Sequence, residues 1–358
     1  MLKATGKLAS FLTGRSASSR RPALGYACIR FLFAELLGSL ALGFGGAAAA
    51  LAQQQPVIRV NVDLVRIVAT VRDAAGQLTG KLEKTDFEIS DNGVPQEVAV
   101  FERQTEQPLS VALLVDCSGS TAKDLKYEND SATQFLRALF AEGNPQDAVS
   151  LYSFNWQVVR HNYFTRNLAS FERSLKLFHG EAGTSLYDAI YLAAQDLEPR
   201  EGRKVIVVVT DGGDTTSSTD LRHALDAAQL ANAVIYPVVV MPIVNDAGRN
   251  IGGENALTYM AMGTGGRTFL PTLGPELDKA FGDIIEELRT EYLLGFYPQN
   301  VSPTKERFHR LEVRVRRPEL RVSARNGYYG DAEGVSSTPG ARVSVGTPGN
   351  SSPTTKKQ

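Results

Sequence analysis

Two short apolar runs, each ending at an aspartate, constrain the fold of this chain more than any other feature. Residues 111–115 (Val-Ala-Leu-Leu-Val) lead into Asp116-Cys117-Ser118-Gly119-Ser120, and residues 205–209 (Val-Ile-Val-Val-Val) lead into Thr210-Asp211-Gly212-Gly213. Neither run alternates apolar with polar residues. Such runs fit strands covered on both faces, as in a parallel sheet flanked by helices. The pattern around them agrees. Helices are expected over 121–142, 168–178, 185–197, 219–231, 254–262 and 275–290. Strands are expected over 147–154, 157–164 (a hairpin partner at a sheet edge), 204–210, 234–240 and 267–270. Strands alternating with helices of this length predict a doubly wound, mostly parallel α/β sheet over residues 108–290.

On either side of that region the period falls to two. Ile67, Ala69 and Val71 alternate, as do Phe87 with Ile89 and Val98 with Val100, and Asp91-Asn92-Gly93 is a strong turn signal. An earlier alternation of Val60, Val62 and Leu64 is out of phase with the first, which predicts a bulge or a break near Leu64-Val65. Beyond residue 290, Tyr292, Leu294 and Phe296 alternate, then Leu311, Val313 and Val315. Each β segment is too short for a core of its own. The expectation is that 53–107 and 291–330 pair into one small antiparallel, sandwich-like β domain, with the α/β region inserted between its halves. Residues 331–358, rich in Ser, Thr, Gly and Pro, read as a disordered tail.

The first 52 residues read as an export signal. Six Lys or Arg side chains stand against Glu35 alone, an apolar stretch follows from Phe31, and Ala50-Leu51-Ala52 is a small-x-small cleavage site before Gln53. The alternative is an uncleaved anchor, but Glu35 and the Gly/Ala content make a poor spanning helix. The mature chain is therefore expected to be exported without a membrane span. The chain's net charge of −1 gives no reason to expect a nucleic-acid partner. Of two cysteines, Cys28 falls in the leader, which leaves Cys117 alone and no intrachain disulfide.

Ligands of open α/β sheets bind beyond the carboxyl ends of the strands, which is where Asp116, Ser118 and Ser120 fall. One carboxylate and two hydroxyls form an all-oxygen group of the kind that hard cations such as Mg²⁺ accept. Asp211 occupies the same position after the other apolar run. Thr184, in Gly183-Thr184-Ser185, just precedes a helix. Taken singly, each has a bland alternative: Ser118 and Ser120 as turn or cap residues, Thr184 as a helix N-cap, Asp211 as a turn acid. Together they place five oxygen-bearing side chains on three loops at one end of one sheet.

At these residues the sequence resembles the von Willebrand factor A fold, shared with integrin inserted domains. The metal-ion-dependent adhesion site of that fold joins Asp-x-Ser-x-Ser to a later Thr and to the Asp of Thr-Asp-Gly. The segment Gly-Thr-Ser-Leu-Tyr-Asp-Ala-Ile, and Asp86-Phe87-Glu88-Ile89-Ser90-Asp91-Asn92-Gly93 ahead of it, further resemble an exported family related to that domain and described mainly from Acidobacteria. The resemblance implies that Asp116, Ser118, Ser120, Thr184 and Asp211 bind Mg²⁺ or Mn²⁺. It also implies an open coordination position suited to a carboxylate from a partner protein or cell-surface ligand. Lys123 and Asp124 stand where some integrin domains carry two acids of a second metal site, and no second site is expected. Asp188 and Asp214 are candidates for orienting the ligands, with helix-end or turn acids as the alternative.

Enzymatic signals are weak. His161, His179, His223 and His309 lack metal-ligand spacing, no Gly-x-Ser-x-Gly surrounds Ser118, and no phosphate-binding Gly-rich loop with Lys is present. The expectation is an exported, non-enzymatic, metal-dependent binding module. A structural or assembly role in the cell envelope is the alternative, and metal-dependent hydrolysis a more distant one.

Overall fold

The computed structural model describes residues 64–103, 107–121, 124–241, 250–301 and 307–330. The expected leader with its cleavage point, the 331–358 tail and Lys123 lie outside the described residues, as does the alternation before Leu64.

Four strands come first: β1 (Val65–Arg72), β2 (Phe87–Asp91), β3 (Val94–Gln96) and β4 (Val100–Arg103). The α/β region follows as β5 (Leu109–Asp116), α1 (Leu125–Glu142), β6 (Ala148–Phe154), β7 (Val158–Thr165), α2 (Leu168–Leu175), α3 (Leu186–Leu197), β8 (Arg203–Thr210), α4 (Leu221–Leu230), β9 (Ala233–Val239), α5 (Ile251–Thr264) and α6 (Pro275–Thr290). Four more strands complete the chain: β10 (Tyr292–Phe296), β11 (Phe308–Val315), β12 (Arg321–Ala324) and β13 (Gly327–Tyr329).

The central sheet has the order β7-β6-β5-β8-β9 and is parallel except for β7, the hairpin partner of β6. The uniform apolar runs explain its layering. Side chains alternate across a strand, so Val111, Leu113, Val115, Val205, Val207 and Val209 pack on one face against α1, α2 and α6 through residues such as Phe135, Leu136, Phe171 and Phe281. Ala112, Leu114, Ile206 and Val208 pack on the other against α3, α4 and α5 through Leu186, Ile190, Ala224 and Leu257. Every residue of β5 is buried.

The outer strands form two four-stranded antiparallel sheets, β12-β1-β10-β4 and β13-β11-β2-β3. β1 pairs with β10 from Val65↔Phe296 to Ala69↔Tyr292, and β11 pairs with β2 from Leu311↔Asp91 to Val315↔Phe87. Ile67, Ala69, Val71, Phe87, Leu294 and Phe296 share one core. The chain leaves these sheets after β4 and returns in β10, and those two strands pair, Arg103 opposite Tyr292. The α/β region therefore leaves and rejoins the sheets at neighbouring points. Asn92 and Gly93 turn β2 into β3 with φ of 48° and 81°, the left-handed geometry of a two-residue hairpin.

Three expectations shift. The strand over 267–270 is reduced to isolated bridges, Val238↔Phe269 and Met241↔Thr272; Pro237 and Pro271 in the facing segments have no N–H to extend a ladder. The helix expected from 121 begins at Leu125, with Asp124 at its N-cap, while the Thr121 hydroxyl donates to the carbonyls of Asp116 (3.0 Å) and Ser118 (3.1 Å). The helix over 254–262 is longer, since Asn250 caps it by accepting from the Gly253 N–H at 2.8 Å.

Buried ion pairs tie the two regions together. Glu291, between α6 and β10, meets Arg203 of β8 at 3.1 Å and accepts a hydrogen bond from the Tyr236 hydroxyl at 2.9 Å. Glu287 of α6 pairs with Arg72 of β1 and with Arg267.

Candidate metal centre

β5 and β8 are parallel neighbours with Val115 opposite Val209, so both aspartate-bearing loops leave the sheet at the same end. Asp116 is fully buried and held at both oxygens. Oδ1 accepts from the Ser118 N–H at 2.7 Å, and Oδ2 accepts from the Thr210 hydroxyl at 2.6 Å. Beyond it, the hydroxyls of Ser118 and Ser120 stand 3.0 Å apart, the first buried and the second exposed. The group thus grades from a fixed, dry carboxylate to hydroxyls at the surface.

The other two loops are stitched to this one through their backbones. The Glu181 N–H donates to the Cys117 carbonyl at 2.9 Å, and the Ser185 N–H to that of Asn155 at 2.6 Å. The Thr184 carbonyl accepts from the N–H groups of Thr215 and Thr216 at 2.9 and 3.2 Å, while its own N–H donates to the Thr215 hydroxyl at 2.8 Å. Thr184 is therefore fixed by its main chain. Its hydroxyl, and the carboxylate of Asp211, have no hydrogen-bond partner among the described residues. Gly212 and Gly213 lie under Asn250 and Gly253 at the start of α5, where a Cβ on Gly213 would come within 2.8 Å of the Asn250 amide.

The electrostatics are those of uncompensated negative charge. Burial pushes the Asp116 carboxyl up to about 6, and the charge of Asp211 adds to the shift, against the hydrogen bonds from Thr210 and Ser118. A third carboxyl belongs to the same group. Glu128 of α1 is 1% exposed and its Oε2 has no hydrogen-bond partner among the described residues. Burial, then the charges of Asp116, Asp211 and Asp124, raise it well above the usual carboxylate range. The same surroundings raise the Cys117 thiol, first by burial and then through Asp116 and Glu128, so the thiol stays protonated and unreactive.

Sequence reasoning missed Glu128 and Thr210. Glu128 has a legible signature, since it falls in the buried stripe of α1 with Leu125, Ala132, Phe135 and Leu139. It missed the rim as well. Trp156 is 56% exposed and donates from Nε1 to Glu181 Oε2 at 2.7 Å, and His179 meets Glu181 Oε1 at 3.1 Å. Asp188 and Asp214, candidates for orienting ligands, are engaged elsewhere. Asp188 accepts from the N–H groups of Ser218 and Thr219, and Asp214 from Tyr187 N–H and from the N–H and hydroxyl of Ser217. They clamp the 214–219 segment to the start of α3.

Among the described residues, no three His, Cys, Asp or Glu side chains form a metal-holding group on their own. The hydroxyls are therefore essential to any cation site here. The donor set fits a hard cation: pinned Asp116, paired hydroxyls, an unengaged Thr184 hydroxyl and Asp211 carboxylate, and an orphaned carboxyl oxygen close behind.

A doubly wound sheet with an oxygen-rich cluster at its carboxyl edge defines a general class of ligand-binding α/β domain. Residues 110–269 match the family model of the von Willebrand factor type A domain, and that part of the chain is such a domain. No curated protein matches the chain. Among solved structures, BatB from Bacteroides thetaiotaomicron is 20% identical over 50% of this chain and 98% of its own, with a TM-score of 0.41. The vWF domain of the type V pili tip protein Mfa5 from Porphyromonas gingivalis is 13% identical over 51% and 95%, with a TM-score of 0.42. Proximal thread matrix protein 1 from the mussel byssus, with a zinc-occupied MIDAS motif, is 14% identical over 55% and 48%, with a TM-score of 0.44. At these identities and scores the likenesses carry no weight for function. Among the described residues, no helix is long and apolar enough to cross a membrane.

Proposed function

We propose that the chain is an exported binding module in which Asp116, Ser118, Ser120, Thr184 and Asp211 hold Mg²⁺ or Mn²⁺ and present it to a carboxylate of a partner protein or cell-surface ligand. The observation that carries this reading is the grouping of Asp116, Asp211 and Glu128, none of which forms an ion pair with a Lys or Arg among the described residues. Among the described residues the Glu128 Oε2 is buried without a hydrogen bond, and burying a polar atom in that state costs about 1–3 kcal/mol. A divalent cation supplies the missing positive charge and a coordination position for an external oxygen.

The chain's own residues divide the remaining work. Thr210 and the Ser118 N–H keep Asp116 in one orientation. The exposed Ser120 and the half-buried Asp211 leave the cluster open to solvent. Trp156, on the adjoining rim, offers a large rigid surface of the kind that anchors protein interfaces. The basic, apolar segment 1–52 supports export.

The test is calorimetric titration of the full chain with Mn²⁺ and Mg²⁺, for wild type and Asp116→Ala, together with capture of partners from envelope extracts in Mg²⁺ or EDTA. The expected result is metal binding by wild type only, and partners that are lost in EDTA and in the variant. Unaltered metal affinity in Asp116→Ala sinks the site. Partners retained after the metal is lost would move the function to the β sheets and a structural role.

A further inference from the structure

At the opposite end of the central sheet, where β5, β8 and β9 begin, a cleft of about 710 Å³ lies between the α/β region and the outer strands. That volume is in the range of small-molecule sites, which favour such junctions. Part of its wall is apolar, from Val68, Val100, Val234 and Leu293. Four basic side chains also line it, Arg66 of β1, Arg325 between β12 and β13, and Arg200 and Lys204 at the entry to β8, among neutral polar residues such as Gln229 and Asn232. None of these four side chains forms an ion pair among the described residues. Of the two acids on the wall, Glu102 is engaged by the Gln107 amide at 2.9 Å and Glu201 is exposed. Arg203, also on the wall, is neutralised by Glu291.

Arg325 gives this site its distinctive character. It is 8% exposed and donates to the Asn232 side chain at 2.6 Å and to the Arg66 carbonyl, both neutral acceptors. Its Nε has no hydrogen-bond partner among the described residues, and the guanidinium lies over the Tyr328 ring, 5.8 Å from its centroid. A buried guanidinium without a counter-charge is costly, and buried charges are ordinarily paired or bound to a ligand. Lys204, whose Nζ donates to the Glu198 carbonyl at 2.6 Å, is pushed down first by its own burial, with the charge of Glu198 opposing and the like charge of Arg66 adding. Arg66, Glu201 and Gly202 are exposed and leave the cleft a mouth to solvent.

We propose that this cleft binds a small organic anion whose acidic head, carboxylate or phosphate, meets Arg325, Arg66, Lys204 and Arg200 while its apolar body lies along Val68, Val234 and Leu293. Guanidinium groups suit either head because both present paired oxygens. Arg66 and Arg325 come from the outer strands, and Arg200 and Lys204 from the α/β region. An occupied cleft therefore bridges the two regions and stabilises the chain by linkage.

The full chain would be titrated at low salt with octanoate (head and body), inorganic phosphate (head alone) and octanol (body alone), by calorimetry and thermal shift. Octanoate should bind and raise Tm, phosphate should compete with it, and octanol should do neither. Arg66→Gln/Lys204→Gln removes two charges, one at the exposed mouth and one half-buried, so it should fold and bind octanoate about tenfold or more weakly. Arg325→Gln, if it folds, should abolish binding. No octanoate binding, no competition by phosphate, octanol binding equal to octanoate, or wild-type affinity in the double variant would each overturn the proposal.

Discussion

The two ends of the central sheet carry opposite electrostatic problems. At the carboxyl end, Asp116, Asp211 and Glu128 interact as like charges beside the Ser118 and Ser120 hydroxyls, which stand 3.0 Å apart. At the amino end, Arg66, Arg200, Lys204 and Arg325 spread positive charge around a cleft of about 710 Å³. Neither excess is cancelled within the described residues. The difference in scale teaches what each end can hold. Oxygens in hydrogen-bond contact can close around a single ion, whereas cations distributed over a wall need an anion with extent. One pair on the basic side is cancelled, Arg203 with Glu291, and it shows what neutralisation looks like in this fold: both side chains buried, and the Tyr236 hydroxyl completing the carboxylate.

That cancelled pair gives the largest expected effect. Glu291→Gln leaves the buried Arg203 facing a neutral amide and adds it to the basic excess. Removing one partner of a buried pair costs about 3–5 kcal/mol, so the variant should show a much lower midpoint in urea than wild type. A midpoint unchanged from wild type would mean that the pair is solvated and that the contrast between cancelled and uncancelled charge is empty. At the acidic end, Asp116→Ala should weaken Mn²⁺ binding at least about a hundredfold, near 2.7 kcal/mol, as read by calorimetry. Glu128→Gln is the subtler probe. Burial and the neighbouring acids already disfavour the charged form of Glu128, so the isosteric amide should leave the metal-free midpoint within about 1 kcal/mol of wild type. Metal affinity should still fall about tenfold, as for groups just outside a coordination sphere. An unchanged affinity would separate Glu128 from the site.

The central sheet was legible because Val, Ile and Leu filled residues 111–115 and 205–209 without a polar break, a pattern that only coverage on both faces explains. The Asp116 and Asp211 loops could be grouped because loops after neighbouring parallel strands emerge at one end, whereas Thr184, between α2 and α3, was placed with them only by the resemblance. Glu128 was hidden because an acid in a helix reads as a surface residue, although its place in the apolar stripe of α1 marked it. For Asp188 and Asp214 both readings stood open, because a turn acid near a candidate ligand looks the same in sequence whether it faces an ion or backbone N–H groups; the structure gives them backbone and Ser217 partners. The 267–270 strand failed on Pro237 and Pro271, whose missing donors outweighed the apolar pattern. The basic cleft had no local signature at all. Its four cations lie at 66, 200, 204 and 325, and only the return of the chain through β10–β13 brings them together.

The smallest expected effect lies near the acidic end and tests whether burial, rather than charge, governs a group there. His161 of β7 is held at Nε2 against the Ser153 hydroxyl at 2.7 Å, with its ring 4.8 Å from that of Phe178. Burial first, and then the charge of His179 on the rim, lowers its pKa to about 4. Between about 6.5 and 4 the unfolded chain binds a proton at this position and the folded chain does not, so stability rises with pH across that window and is lost as pH falls through it. Asp116 without metal works in the opposite sense, because its raised carboxyl takes up a proton in the folded state first. Comparing wild type with His161→Gln cancels the Asp116 contribution, which both proteins share. The Tm advantage of wild type over the variant should be greatest near pH 7 and should shrink steadily toward pH 4.5. An advantage that stays constant over the range would show that His161 titrates as freely in the fold as in the unfolded chain, and that its burial has no electrostatic consequence.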